Sequence, residues 1–365
     1  MSEAIAAPDA GGDGPEAGPW TDDEPLECTL VIPEAPNVCT FSFRAPSGAW
    51  FDYRAGQFVT LELPTPGGAI QRTYTISSTP SRPLSLSVTV KAQPDSVGSR
   101  WMIDHLKPGH RIRAHGPAGI FTLPKRPRDK YLFIAAGSGV TPMMSMATYL
   151  YDYGDQPDVR LISCAQRPSE LIFRDRLEHM ASRLPGIRLS FVVEEEEPYR
   201  VWTGFQGRLN QLILGAIAPD YLERKVYCCG PEPFMQAVRD SLIGLGFEME
   251  NYLQENFQAP IETKAEAPPL EDVVPQEAAK AAVVFAKTGR HREGSEADTV
   301  LALARASGVA IPSGCTFGVC GTCKVKKLSG DVHMVHNGGI SEEDVEDGYI
   351  LACCSHPIGK VEIDA

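Results

Sequence analysis

The feature that most constrains this chain is the spacing of its last cysteines. Cys315, Cys320 and Cys323 are separated as C-x4-C-x2-C, and the pair Cys353-Cys354 follows in a later segment. Three thiolates from one tight loop and a fourth from elsewhere is the ligand order of a plant-type [2Fe–2S] cluster. Zinc sites usually pair two C-x2-C motifs or combine cysteine with histidine. The spacing therefore favours an iron–sulfur cluster over a zinc site or unrelated cysteines.

The fourth ligand must be one of two neighbours. Cys353 ends the apolar run 349–352, which would hold it rigidly, so we predict Cys353 rather than Cys354 as the ligand. Glycines interrupt the three-cysteine loop, and such residues suit a backbone that wraps a cluster with positive φ: Gly314, Gly318 and Gly321.

Composition sets outer limits on the rest of the molecule. A chain of 365 residues is too long for one ordinary core and predicts two or three domains. Its net charge of −13 argues against a nucleic-acid partner. No run has the roughly 18 apolar residues of a membrane span, and the N-terminus lacks the features of a secretory signal. With four cysteines assigned to a cluster, we expect a reducing, cytoplasmic compartment.

The chain divides by pattern into five segments. Residues 1–24 are acidic, contain no lysine or arginine, and are predicted to be a disordered tail. Residues 25–126 contain short period-two runs separated by glycine and proline, which predicts an antiparallel β-barrel. Residues 127–258 alternate apolar strands with helical patterns, which predicts a parallel sheet.

The remaining two segments are a linker and a compact unit. Residues 259–280 are rich in proline, alanine and glutamate, and are typical of a semi-stiff linker. Residues 281–365 hold the cysteine motif. In them Asp298 is predicted to cap a helix over residues 299–306, and Gly308 is predicted to terminate it.

Three further motifs could bind cofactors. Gly137-Ser-Gly-Val-Thr-Pro142 follows a strand and opens a helix, whose free N–H groups suit a phosphate. The segment 72–77, Arg-Thr-Tyr-Thr-Ile-Ser, places a cation for a pyrophosphate and a ring for stacking on one strand face. Cys228-Cys229-Gly230-Pro231 ends a strand, where ligands of parallel sheets bind. Taken singly, each also fits a strand–helix corner, ordinary strand alternation or a buried cysteine.

Together and in this order, the three motifs resemble those of the ferredoxin–NADP reductase superfamily, and the last segment resembles a plant-type ferredoxin. The order flavin, nicotinamide, cluster is similar to that of reductase components of multicomponent Rieske oxygenases. The resemblance extends over about residues 26–365. It implies a β-barrel that binds FAD, an α/β domain that binds NAD(P), and a β-grasp [2Fe–2S] domain. It also supports Cys353 as the fourth cluster ligand.

The resemblance implies roles for individual residues. Arg72 would bind the flavin phosphate, Tyr74 would stack on the flavin ring, and Thr75 would bond near its reactive nitrogen. Cys229 would lie near the reactive carbon of the nicotinamide. The catalytic prediction is therefore Tyr74, Thr75 and Cys229. The other implied cofactor-binding residues are Thr73, Val90, Lys91, Gly98 and Ser99, just before a helix that starts at Arg100, with Gly137, Gly139, Thr141, Pro142, Gly230, Pro231, Glu255 and Phe257.

The implied function is a reductase that takes hydride from NADH and passes single electrons through FAD and a [2Fe–2S] cluster to a partner oxygenase. The overall resemblance points to oxygenases that demethylate quaternary amines such as glycine betaine. Alternatives are a reductase of hybrid-cluster protein, and an electron carrier or redox sensor without nicotinamide activity. FMN in place of FAD stays open. NADPH does too, because Arg167 follows the second strand of the α/β unit, where a 2′-phosphate would bind.

Overall fold

The computed structural model describes residues 18–93, 96–124, 129–153, 157–198, 201–255, 279–313, 318, 321–336 and 339–365. Three sheets follow one another along the chain. Several predictions concern residues outside these ranges: the tail up to residue 17, the linker up to residue 278, Phe257, Cys315 and Cys320.

The first sheet is an antiparallel barrel, as the period-two runs predict. Its strands are β1 (Leu26–Ala35), β2 (Val38–Arg44), β3 (Phe58–Thr65), β4 (Gly68–Thr75), β5 (Leu86–Lys91) and β6 (Arg111–Ala118). They are ordered β4-β3-β6-β1-β2-β5. A bridge between Ile76 and Val88 joins the two edges. Helix α1 (Val97–His105) packs against β3 and β5.

The segment 18–24 corrects the prediction of a disordered tail. Trp20 is 7% exposed and its ring lies 5.7 Å from that of Phe51. The backbone N–H of Trp20 donates to the carbonyl of Trp50 at 2.7 Å. Burial of this large aromatic side chain favours the ordered state of the acidic segment. The acidic composition of the segment gave no indication that Trp20 is buried.

The second sheet is parallel and has helices on its faces. The elements are β7 (Lys130–Ala136), α2 (Val140–Tyr153), β8 (Asp158–Ala165), α3 (Arg174–Arg183), β9 (Ile187–Val193), β10 (Phe205–Gln206), α4 (Gln211–Ile217), β11 (Lys225–Cys229), α5 (Glu232–Gly244) and β12 (Tyr252–Glu255). The strand order is β10-β9-β8-β7-β11-β12. Successive connections move in one direction from β7 and in the other from β11. The switch point of the sheet therefore lies between these two strands.

Helix α3 starts later than the sequence pattern predicts. The pattern predicts a helix from Leu171, but Phe173 has a φ of 60° and the helix begins at Arg174. A 3-10 turn over Pro168–Glu170 precedes it. The three apolar residues 171–173 are buried. Their apolar side chains extend the helical pattern, although their backbone lies before the helix.

The third sheet has the order β14-β13-β17-β15-β16. Its elements are β13 (Lys280–Phe285), β14 (Arg290–Ser295), α6 (Val300–Ala306), β15 (Lys324–Met334), α7 (Glu342–Glu346), β16 (Tyr349–Leu351) and β17 (Ser355–Ile363). Strands β13 and β17 are parallel and the other pairs are antiparallel. Helix α6 packs against β13, β14 and β17 of this mixed sheet and α7 packs against β16, in the predicted ferredoxin-like arrangement.

The two ends of helix α6 test two predictions. The prediction of Asp298 as its N-cap is wrong: the hydroxyl of Thr299 accepts from the Ala302 N–H at 3.1 Å. The Asp298 carboxylate instead accepts from the Ser295 N–H at 2.9 Å. At the other end Gly308 has a φ of 68°, and its N–H donates to a carbonyl of the last turn at 3.0 Å, as predicted for a residue after the C-cap.

The barrel and the α/β unit are joined by polar contacts. Asp152 on α2 accepts two hydrogen bonds from Arg82, at 2.6 and 2.9 Å, and one from Ser81 at 2.5 Å. Ser145, also on α2, donates to the carbonyl of Ser78 at 2.5 Å. Within the described ranges, no helix is long and apolar enough to cross a membrane.

Candidate cofactor and electron-transfer site

A cavity of about 540 Å³ opens at the carboxyl edge of the parallel sheet. Its floor is formed where β7, β8 and β9 end, with Gly137, Ala165 and Glu194 among the lining residues. Pro231 after β11 and Lys91 from the barrel complete the walls. This is the place where parallel sheets bind nucleotides. The volume lies in the range of cofactor sites, so a dinucleotide fits here.

The glycine motif and the Cys229 motif meet at the switch point. Gly137 has a φ of 55°, so its turn needs a residue without Cβ. A Cβ on Gly139 would lie 2.1 Å from the carbonyl oxygen of Cys229, and one on Gly230 would lie 3.1 Å from the Ala136 Cβ. The two strand ends therefore touch through glycines. Side chains larger than glycine at these two positions would fill the space between the strand ends.

The helix that follows the glycine turn starts as the motif suggests. Thr141 donates its hydroxyl to the Ser138 carbonyl at 2.9 Å, and Pro142 is buried in the first turn of α2. Proline is suited to this turn because the missing N–H would have no partner in the helix. Pro231 likewise occupies the N-cap position of α5.

A buried carboxyl links the barrel to the α/β unit. Glu255, the last residue of β12, is 9% exposed, and the Thr75 hydroxyl donates to its Oε2 at 3.4 Å. Burial raises the pKa of Glu255 to about 8, although the Thr75 hydrogen bond acts in the opposite direction. Cys229 is fully buried, and burial followed by the nearby Glu255 charge raises the pKa of its thiol well above the usual value. The structure thus brings Thr75, Cys229 and Glu255 together.

The barrel motif is split between the two faces of β4. Arg72 is exposed and Tyr74 is half-buried against the barrel core, and burial raises the pKa of the Tyr74 hydroxyl. Val90 on the neighbouring strand β5 is buried. A Cβ on Gly98 would lie 3.0 Å from the Arg72 Cγ, so α1 closes directly onto the Arg72 side chain.

The position of Gly98 and Ser99 requires a correction. The sequence placed both before a helix that starts at Arg100, whereas α1 begins at Val97 and both lie in its first turn. Ser96 is the N-cap, and its hydroxyl oxygen accepts from the Ser99 N–H at 3.4 Å. The free N–H groups of this turn, next to Arg72, are suited to a pyrophosphate.

Sequence reasoning missed the charged rim of the dinucleotide cavity. Lys91 pairs with Glu170 at 3.3 Å, and Arg208 pairs with Glu194 at 3.2 Å. Arg167, proposed from sequence for a 2′-phosphate, pairs with Glu195 at 3.1 Å instead. A run of four glutamates directly after an apolar strand was the available signal.

The described part of the cluster site brings two predicted ligands together. Cys323 and Cys353 are both buried, and the Cys353 N–H donates to the Cys323 Sγ at 3.4 Å. The Ala352 N–H donates to the Cys323 carbonyl at 3.0 Å. Hydrogen bonds to sulfur are typical of thiolates that bind iron. A Cβ on Gly318 would lie 2.8 Å from the Cys354 Sγ, so Cys354 also borders the loop.

The other two predicted ligands, Cys315 and Cys320, lie outside the described residues. Among the described residues no group of three or more metal-ligating side chains is found. The donor set that is described, two buried thiols joined by a backbone N–H, fits a thiolate-held cluster.

Comparison with protein-family models assigns the three parts of the chain. Residues 29–123 match the oxidoreductase FAD-binding domain, residues 133–240 match the oxidoreductase NAD-binding domain, and residues 284–357 match the 2Fe-2S iron-sulfur cluster binding domain. These matches confirm the prediction of a flavin barrel, a nicotinamide α/β domain and a ferredoxin-like domain.

Known proteins extend the likeness over almost the whole chain. The reductase subunit of stachydrine N-demethylase of Rhizobium meliloti is 61% identical over 346 residues, or 95% of this chain and 98% of that protein. The chain belongs to the oxygenase reductases of the ferredoxin–NADP reductase superfamily. The glycine betaine monooxygenase reductase subunit of Chromohalobacter salexigens is 43% identical, over 94% of this chain and 96% of that protein.

A solved structure supports the fold of this reductase. Phthalate dioxygenase reductase aligns with a TM-score of 0.59 and 23% identity, and covers 95% of this chain and 100% of its own. The three family-model matches and the two relatives show that the reductase is an NAD(P)H-dependent flavoprotein with a [2Fe–2S] domain, and the prediction of an electron-transfer enzyme is confirmed.

Proposed function

We propose that this reductase supplies electrons to an oxygenase that N-demethylates a quaternary amine of the stachydrine or glycine betaine type. The observation that carries the proposal is the 61% identity to a stachydrine N-demethylase reductase subunit over 95% of the chain. The second relative is the reductase subunit of glycine betaine monooxygenase. Glycine betaine is a quaternary amine, as stachydrine is. A Rieske-type oxygenase in the cytoplasm is the partner that we predict.

The proposal divides the cofactor work among three sets of residues. Arg72, Tyr74, Thr75, Val90, Gly98 and Ser99 hold FAD, which converts two-electron into one-electron transfer when bound. The nicotinamide is oriented at the switch point by Gly137, Gly139, Thr141, Pro142, Cys229, Gly230 and Pro231. The cluster is held by Cys315, Cys320, Cys323 and Cys353.

Glu255 and Thr75 lie between the two proposed nucleotide sites, where they hold a proton and exclude water. With a pKa of about 8, the Glu255 carboxyl is mostly protonated at neutral pH and adds no negative charge to the site. The carboxyl is itself buried at the junction of the barrel and the α/β unit. Exclusion of water and correct orientation are what a protein contributes to hydride transfer between cofactors.

The charged rim supports NADH as the donor. Lys91, Arg208 and Arg167 are the cations that border or adjoin the cavity, and each is already paired with a glutamate. A 2′-phosphate of NADPH would have to displace a carboxylate and would meet the negative charge left behind. NADH carries no such phosphate, so the same rim accepts its ribose without that conflict.

The test is reconstitution with purified oxygenase components. NADH consumption and demethylated product would be measured with the oxygenases for stachydrine, glycine betaine and an aromatic substrate. We expect product formation at rates at least roughly tenfold higher with an amine-demethylating component than with the aromatic one. Equal or faster turnover with the aromatic oxygenase would contradict the proposal.

A further inference from the structure

The ferredoxin domain touches the barrel at the strand that carries the flavin motif. Alternation along β4 places Arg72 and Tyr74 on one face, and Gln71 and Thr73 on the other. Two hydrogen bonds between the barrel and the ferredoxin domain are described. One involves Gln71 itself, and the other involves Thr60, the residue of β3 that pairs with Thr73. One strand therefore separates the predicted flavin residues from the iron–sulfur domain.

The first contact is a bridge of three hydroxyls. Thr60 is fully buried on β3 and is paired in register with Thr73 on β4. Its Oγ1 lies 3.0 Å from the Thr73 Oγ1 and 3.0 Å from the Thr322 Oγ1 of the ferredoxin domain. Because Thr60 has one hydroxyl proton and two lone pairs, it donates to at most one neighbour and accepts from at least one. Thr73 precedes Tyr74, and Thr322 precedes Cys323.

The second contact lies on the other side of the cysteine loop. The backbone N–H of Ser313 donates to the Gln71 Oε1 at 2.7 Å. Ser313 is 5% exposed, and its hydroxyl accepts from Arg305 at 2.6 Å, so the donor is held in place. Ser313 comes before Cys315, and Thr322 comes after Cys320. In the sequence the two contacts therefore stand on either side of Cys315 and Cys320, and Cys323 directly follows the second contact.

We propose that Thr60 and Gln71 are positioning residues that hold Thr322 and Ser313 of the ferredoxin domain against β3 and β4, and thereby set the rate at which the flavin reduces the cluster. The proposal rests on the electron order of the proposed function. The two sides are joined by a chain segment that includes the proline-rich stretch, so covalent connection alone does not define their distance. Electron transfer between domains needs a defined contact, and these two hydrogen bonds supply one.

The variants are Thr60→Val, Gln71→Ala and the double variant, in the FAD- and cluster-loaded protein. Valine keeps the shape of threonine and suits a strand. Thr40→Val is the matched control, because Thr40 is a buried threonine of the same barrel whose hydroxyl bonds to two barrel residues, Thr89 at 2.7 Å and Glu34 at 2.6 Å. Rapid mixing with NADH without oxygen would follow flavin reduction and cluster reduction separately.

We expect flavin reduction to be unchanged in all variants, and cluster reduction to slow by about fivefold for each lost hydrogen bond. Hydrogen exchange at the Ser313 amide supplies a readout independent of electron transfer. We expect it to become about fivefold faster in Gln71→Ala and to stay unchanged in Thr40→Val.

Each other outcome overturns the proposal in a distinct way. Cluster reduction at the original rate in the double variant would overturn it whatever the exchange shows. Slower cluster reduction in Thr40→Val would show that loss of any barrel hydroxyl slows this step, and would overturn the specific role of Thr60. A cluster that stays oxidised after NADH is added to the unaltered protein would overturn the proposed function and this proposal with it. Exchange at the Ser313 amide would still show whether the contact forms.

Discussion

Glu255→Gln is the substitution whose consequence is best defined by the structure. The Glu255 carboxyl is buried at the junction of the barrel and the α/β unit, and its Oε2 has the Thr75 hydroxyl as a donor. Burial raises its pKa from 4.5 to about 8. The folded state therefore binds the proton more tightly than the unfolded state, so this group favours folding at low pH and loses that advantage as the pH rises.

The magnitude follows from the pKa difference. A tenfold change in proton affinity corresponds to about 1.4 kcal/mol. Below the unfolded pKa of 4.5 the group adds no penalty, and the penalty grows until the pH passes the folded pKa of about 8. Between pH 6 and pH 9 the unaltered protein should lose about 3 kcal/mol of stability from this carboxyl alone. Glutamine has the same shape, keeps an acceptor for Thr75 and does not titrate.

Urea unfolding from pH 6 to pH 9, followed for the FAD- and NAD-binding domains, tests this directly. The stability of Glu255→Gln relative to the unaltered protein should rise by about 3 kcal/mol over that range and then level off. Glu248→Gln is the control, because it makes the same substitution at an exposed position of the same domain. Parallel curves for Glu255→Gln and the unaltered protein would refute the reasoning.

The cluster ligand, the strand contact and the cavity rim give three more predictions. Cys353→Ser should abolish the paramagnetic signal of the reduced cluster and lower the iron content, whereas Cys354→Ser should retain both; the reverse result would exchange the two assignments. Gly139→Ala would put a Cβ 2.1 Å from a strand carbonyl, so thermal unfolding should show a loss of about 2 kcal/mol, with weaker NADH binding by titration. Glu194→Gln should free the cation that it pairs with and raise kcat/KM for NADPH roughly tenfold, and no change would argue against the rim as the basis of NADH preference.

The sequence predicted the parts that depend on spacing and periodicity. The short runs over residues 25–126 predicted the antiparallel barrel, and the alternation of apolar strands with helical patterns over residues 127–258 predicted the parallel sheet, because these patterns report which faces are buried. The glycine motif and the Cys229 motif were correctly expected at strand ends. Their contact through Gly139 could not be read from the sequence, since it depends on which two strands lie side by side.

The errors come from local competition that periodicity does not record. Asp298 and Thr299 both suit an N-cap, and the structure uses Thr299 because the Asp298 carboxylate bonds to Ser295 instead. Trp20 orders an acidic segment that composition predicts to be disordered. The contact between Thr60 and Thr322 joins residues from two domains, and no sequence pattern relates such distant positions.

The most direct test of the central claim is reduction by NADH in the absence of oxygen, followed at once by flavin absorbance and by the paramagnetic signal of the cluster. The account predicts that flavin absorbance falls first and that a signal from the reduced [2Fe–2S] cluster then appears in the same molecule. A cluster that is reduced while the flavin is absent, or a flavin that is reduced without any cluster signal, would contradict the account.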